Sequence, residues 1–135
     1  VIPTGDTSAV LLTFIEKINR HDIGGLTALM TDDHEFVDSL GMAVQGKDAM
    51  RQAWIGYFYL IPDYAIAVDE LFAKADSAAL VGTASGTYAV RGALLPENRW
   101  SIPIAIRCTV RGGLVARWQV FADNEPVRRL VKPEA

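Results

Sequence analysis

The sequence predicts an α+β domain, with three N-terminal helices packed on one strongly curved antiparallel sheet. The period of the apolar residues is the first observation behind this. It is helical as far as Ile61 and switches to two beyond it. Turn formers are the second: Asp76-Ser77, Pro96-Glu97-Asn98 and Arg111-Gly112-Gly113 punctuate the period-two stretches. Helices followed by consecutive strands make an α+β arrangement. Strand length is the third. The runs 64–73, 78–90, 99–110 and 114–121 are long for a chain of 135 residues, and long strands twist and coil. The sheet should therefore curl into a half-barrel whose concave side the helices close, leaving a cavity at the open end of a cone.

Each element has its own signal. Val10, Leu11, Phe14, Ile15 and Ile18 form a helical stripe, with Asp6, Thr7 and Ser8 as candidate caps. Asn19-Arg20-His21-Asp22 interrupts it, with His21 expected as a C-terminal cap. A short second helix follows over 23–30, capped by Asp22. Thr31-Asp32-Asp33 turns the chain into a first strand, Glu35-Phe36-Val37-Asp38. Gly46-Lys47-Asp48 opens a third helix with Met50, Trp54, Tyr57, Phe58 and Ile61 inward, and Pro62 ends it. The clearest alternation sets Trp100, Ile102, Ile104, Ile106, Cys108 and Val110 against Ser101, Pro103, Ala105, Arg107 and Thr109. The last strand is read with Leu114, Ala116, Trp118 and Val120 on one face, and Val115 and Phe121 on the other. No repeat or linker interrupts the pattern, so residues 1–135 are one domain with its core at about 8–123.

Composition narrows the function. A net charge of −3, with no basic cluster denser than Arg128-Arg129, argues against a nucleic-acid surface. Cys108 is the only cysteine, so no internal disulfide forms; its apolar strand makes it a core residue rather than a nucleophile. His21 and His34 give no metal-ligand spacing, and neither metal nor cofactor is expected. His34 is read as an edge or turn residue. No apolar run is long enough to span a membrane. The first residues show no signal-peptide pattern, and the expected location is the cytoplasm.

Asp38 is the leading candidate for chemistry. By alternation it shares the face of Phe36, so a carboxylate points where a core side chain belongs. Apolar surroundings destabilise a carboxylate's charge and make it a better proton acceptor, the property of a general base. The alternative is that it caps the turn Ser39-Leu40-Gly41.

Several patterns in sequence order carry a resemblance. They are Phe14-Ile15-Glu16-Lys17-Ile18-Asn19-Arg20-His21-Asp22, Met30-Thr31-Asp32-Asp33 leading into Phe36-Val37-Asp38, Gly46-Lys47-Asp48-Ala49-Met50-Arg51, the hairpin Val110-Arg111-Gly112-Gly113-Leu114-Val115, and Phe121-Ala122-Asp123. From about Ser8 to Asp123 the chain resembles the SnoaL-like group of the nuclear transport factor 2-like superfamily, which includes ketosteroid isomerase. The resemblance implies a cone-shaped, cystatin-like α+β barrel and places Asp38 where the isomerase has its catalytic aspartate. It also implies two donors for an enolate oxygen. Phe14 and Ala105 or Ile106 stand at those positions, and none of them can donate, so steroid isomerisation by that route is not expected. The superfamily's epoxide hydrolases need a second aspartate on the last strand; Trp118-Gln119-Val120-Phe121 has no acid there.

The remaining candidates are Asp123, at the end of the last strand, and Tyr57, the obvious neutral donor, with Tyr88 in reserve. Phe14, Trp54, Phe58, Tyr88 and Trp118 are expected to contact a flat apolar ligand, with Trp100 also on the sheet. The expected function is cofactor-independent isomerase, cyclase, dehydratase or hydrolase chemistry with Asp38 as base. The alternative is a ligand-binding or dimeric interaction domain without catalysis. Apolar residues on both sheet faces point to a homodimer through the sheet, and family resemblance points the same way.

Overall fold

The computed structural model describes residues 5–130, with side chains from residue 7 onward. Helices α1 (Gly5–Asn19) and α2 (Ile23–Ala28) lead into strand β1 (Met30–Val37). The short strand β2 (Ala43–Gln45) and helix α3 (Lys47–Leu60) come next. Four strands follow: β3 (Ala65–Lys74), β4 (Ser77–Thr87), β5 (Arg99–Arg111) and β6 (Leu114–Ala122). A single 3₁₀ turn, Pro96–Asn98, precedes β5, and a short helix α4 (Glu125–Leu130) ends the described chain. The six strands form one curved sheet in the order β2-β1-β6-β5-β4-β3.

The sheet is mixed rather than antiparallel throughout, because β1 pairs in parallel with β6, Phe36 opposite Trp118. Local periodicity sets which face a residue takes, but not which distant strand it joins. The other pairings are antiparallel. Burial on β5 alternates as its sequence predicts, with the even residues from Trp100 to Val110 buried. On β6 the pairing shifts between Thr109 and Val110, where Val110 meets Val115 and Thr109 meets Arg117. Ala116 is the extra residue of this bulge, and it moves Val115 into the core beside Trp118. The expected face of Val115 is thereby reversed.

Helix α1 begins at Gly5, so Thr7 and Ser8 lie in its first turn rather than capping it; the side chain of Asp6 lies outside the described residues. Thr7 Oγ1 instead donates to the Ala75 carbonyl at 2.7 Å. Asp22 does cap α2, accepting from the Gly25 N–H at 2.9 Å. His21 sits beyond the end of α1 at φ 54°, a left-handed conformation that costs a non-glycine residue free energy. Its N–H donates to the Ile18 carbonyl, and its ring stacks on Phe58 with centroids 4.0 Å apart and planes at 5°.

The core lies between α1, α3 and the concave face, centred on Leu11, Phe14, Ile18, Leu80, Ile106 and Trp118. Cys108 is inside it, and burial pushes its thiol up to about 12, as expected of a packing residue. His34 is there too, fully buried, which corrects the expectation of an edge or turn position. Its Nδ1 donates to the Val115 carbonyl at 2.7 Å across the β1–β6 seam, and its Nε2 has no partner. No described helix is long and apolar enough to cross a membrane.

Burial lowers the His34 pKa from its ordinary value; the Val115 carbonyl and the charges of Asp33 and Glu35 oppose this only in part. The folded state therefore binds fewer protons than the unfolded chain in the window below about pH 6.5, and stability falls as pH falls through it. The melting temperature should drop between pH 7 and pH 5, and His34→Met should flatten that slope even if it lowers stability at pH 7. Thermal melts across pH check this.

Candidate functional site

One end of the sheet opens on a single space. β1 and β6 run in parallel and end there, β4 ends there, and β3 and β5 begin there. The space is a cavity of about 420 Å³, within the range of small-molecule sites. Its sheet wall is Ala84, Trp100, Ile102, Ile104, Trp118, Val120 and Ala122. The helical wall is Met50, Ala53, Trp54 and Tyr57 from α3, joined by Tyr64 just beyond it. Phe36, Asp38, Ser39, Leu40 and Val44 form the third side, and Asn124, Val127 and Arg128 close the fourth.

Asp38 follows the last residue of β1. Its Oδ1 accepts from the N–H groups of Leu40 and Met42, both at 2.9 Å. Its own N–H donates to the Met42 carbonyl, and its carbonyl accepts from Gly41. The side chain thus caps the turn, the alternative role its sequence offers, and lines the cavity as well. Only one carboxylate oxygen is committed; Oδ2 has no hydrogen-bond partner among the described residues. The turn is tied across the mouth, where Asn124 Nδ2 donates to Ser39 Oγ.

Tyr57 and Tyr64 both line the cavity, their rings edge to face with centroids 4.9 Å apart. Burial pushes the Tyr57 phenol up to about 12 and raises that of Tyr64 further, aided by the neighbouring Tyr57. Both remain neutral hydrogen-bond donors near neutral pH. Trp54 and Trp100 add aromatic wall, but their indole N–H groups are sealed in the packing without partners.

The structure brings together Asp38, Tyr57, Trp54 and Trp118 of the residues singled out by sequence. Phe14, Phe58, Tyr88 and Asp123 do not line the cavity. Phe14 lies one layer deeper, fully buried behind Trp118 at 4.7 Å. Phe58 turns toward His21. Tyr88 lies past the end of β4 at Thr87, where strand alternation no longer directs a side chain; its N–H is held by the Asn98 carbonyl. Asp123 is exposed and caps the turn into α4, accepting from the Glu125 N–H at 3.0 Å. Tyr64, Asn124, Val127 and Arg128 escaped the sequence reading. Pro126, with acidic Glu125 before it and Arg128 and Arg129 behind, was the available signal for α4. Among the described residues no group of three or more His, Cys, Asp or Glu side chains could hold a metal ion.

A cone closed by helices around one apolar cavity, with a carboxylate at its rim, defines a class of small-molecule-binding α+β barrels. The family model of the SnoaL-like domain matches residues 11–118, and the chain belongs to that family. Solved structures share the fold at low identity. A provisionally assigned SnoaL-like polyketide cyclase from Shewanella denitrificans superposes with a TM-score of 0.81 at 11% identity, covering 95% of this chain and 98% of its own. AclR, a provisionally assigned hydroxylase from Streptomyces galilaeus, gives 0.77 at 20%, covering 98% and 89%. A hypothetical protein with a ketosteroid isomerase-like fold from Catenulispora acidiphila, solved with trimethylamine, gives 0.77 at 15%, covering 90% of each chain. No curated protein matches the sequence.

Gly86 governs how closely the α3–β3 connector approaches the sheet. A Cβ there would lie 2.3 Å from Ile61 Cγ2 and 3.5 Å from Tyr64 Cα. Gly86→Ala should cost roughly 1–3 kcal/mol by overpacking and should displace the Ile61 side chain, whose Cγ2 lies nearest. A lowered denaturant midpoint with an unchanged slope is the expected result.

Proposed function

We propose that this protein binds a flat, largely apolar small molecule in the cavity and acts on it by acid–base chemistry, with Asp38 as the proton acceptor. The reaction class is isomerisation, cyclisation, dehydration or hydrolysis. The observation that carries the reading is the divided role of Asp38: two backbone N–H groups fix Oδ1, which leaves a positioned carboxylate with Oδ2 unused beside an apolar cavity. Tyr57 is the donor. Asp123, held in a turn outside the cavity, is left out. Structural relatives crystallised with small molecules, trimethylamine in one and polyporic acid in another, support ligand binding in this architecture.

A second reading, binding without catalysis, draws on the positions where the isomerase has its donors. Phe14 is buried hydrocarbon, Ala105 is on the convex face opposite Phe121, and Ile106 is core. Asp38→Asn tests the catalytic reading. Asparagine keeps an Oδ1 acceptor for Leu40 and Met42, so the melting temperature should hold, while turnover of any substrate found should fall about 10²-fold or more. Asp38→Ala should instead destabilise the turn. Unchanged turnover in a folded Asp38→Asn protein would remove Asp38 as the base, whereas a wild-type protein that binds ligands and turns none over would leave the binding reading.

The convex face supports a homodimer. Phe72, Val81 and Phe121 are 56%, 37% and 48% exposed there, and Phe72, Ala79, Arg107 and Phe121 border a groove on it. Isolated proteins seldom leave such a contiguous apolar surface in water. Sedimentation should give twice the 14.7 kDa chain mass, and Phe121→Glu should shift it to one. A wild-type mass of one chain, constant on tenfold concentration, would exclude the dimer.

A further inference from the structure

The connector between α3 and β3 is clamped from four directions. Asp63 accepts from the Thr87 N–H and the Thr87 hydroxyl, both at 2.7 Å, and Arg99 Nη1 lies 3.4 Å from the same carboxylate. His21 Nε2 donates to the Tyr64 carbonyl at 2.9 Å. Asn19 holds both backbone groups of Ile66, donating to its carbonyl at 3.0 Å and accepting from its N–H at 2.8 Å. Gly86 leaves room for the segment to lie against β4. Tyr64 is the residue these contacts fix in place.

Its position has a consequence for the cavity. In the strand order Asp38 stands at the end of β1 and Tyr64 at the start of β3, with β6, β5 and β4 between them. The curl of the sheet sets the two on opposite walls of one space. The Tyr57 and Tyr64 hydroxyls have no partner among the described residues, and neither belongs to the sealed, unpartnered polar atoms, unlike the indoles of Trp54 and Trp100. A half-buried phenol without a partner forgoes a hydrogen bond that a ligand can supply. A cation is the less suitable occupant of this wall. Trp54, Tyr57, Tyr64 and Trp100 pack against one another with centroids 4.9–6.5 Å apart, two of the pairs edge to face, so these rings interact with each other as well as with any occupant.

We propose that Tyr64 and Tyr57 form a donor pair that receives an acceptor oxygen, a carbonyl or enol(ate), of a flat ligand whose body spans the cavity toward Asp38. This rests on the ligand-binding reading above and adds the ligand's chemistry to it. Tyr64 occupies neither of the donor positions that family resemblance suggests, so its assignment comes from the geometry alone.

Three naphthalenes of similar shape test it: 2-acetylnaphthalene, 2-isopropylnaphthalene and 2-naphthylmethylammonium, titrated by NMR against the full chain. The ketone should bind about 10-fold tighter than the hydrocarbon, and tighter than the ammonium. Tyr64→Phe and Tyr57→Phe should each cut the ketone's preference about 5-fold while leaving hydrocarbon binding unchanged, and the double variant should abolish it. Thermal melts establish that the variants fold. Equal affinity for ketone and hydrocarbon, or tightest binding of the ammonium, would overturn the donor pair. So would a ketone preference that survives both substitutions, or a Tyr64→Phe protein that loses ketone and hydrocarbon affinity alike. In each of these cases the ligand-binding reading stands. Failure of all three probes to bind would overturn both.

Discussion

Parallel pairing of β1 with β6 joins the two strands that precede α3, β1 and β2, to a sheet otherwise made by β3 to β6. It sets Phe36 opposite Trp118 and carries the chain on to Asp38 at the open end of the cone. The His34–Val115 hydrogen bond crosses this seam at the point where the ladder is irregular, between the Met30 and Glu35 pairs. At the surface Glu35 meets Arg117 at 3.2 Å, and Arg111 donates to Asp33. Such exposed ion pairs contribute little; the buried imidazole, with apolar neighbours on the same seam, fixes the register. Every later feature of the site depends on that register, because a slip of one residue would turn Phe36 and Asp38 outward.

The cavity is asymmetric in its polarity. One wall carries an acceptor anchored by a turn, the other two phenols, Tyr57 on α3 and Tyr64 held by the α3–β3 connector, and hydrocarbon separates them. Holding polar groups in such surroundings has a cost visible elsewhere: Thr31 Oγ1, His34 Nε2 and two indole nitrogens are buried without partners. Each such group is destabilising by about 1–3 kcal/mol. The four clamps around Tyr64 and the two N–H groups on Asp38 are the compensating investment. They place rigidity at the two sides of the space rather than across its middle.

Much of this was legible in the residues, and what was hidden has physical reasons. The helical stripes, the alternation on β5 and the turn around Asp38 are local patterns, and local patterns survive in sequence. The partner of β1 is not local, so periodicity could not distinguish a parallel neighbour from an antiparallel one. The bulge at Ala116 reverses parity within a single strand, which no alternation rule anticipates. Helix α4 has six residues, too few to establish a period. Phe14 illustrates a different limit: its helical spacing shows that it is buried, but not whether it faces the cavity or the layer behind it. Tyr64 is read as the first residue of a period-two run, but β3 begins at Ala65, and its place on the cavity wall could be recognised only from its neighbours in space.

The same seam sets the order in which the molecule can assemble. His34 and Val115 are 81 residues apart in the chain, whereas β3–β4 and β5–β6 are joined by tight turns and β4–β5 only by residues 88–98. Closing so long a loop carries an entropic cost that only the finished β6 can offset, so β3 to β6 form the template and β1 docks onto it late. During synthesis on the ribosome, α1, α2 and Asp38 emerge before β6 and wait for it before they find their places. Until then the apolar lining of the future cavity is open to solvent. A ligand that fits the finished space would act on this last step, slowing the departure of β1 more than it hastens its arrival.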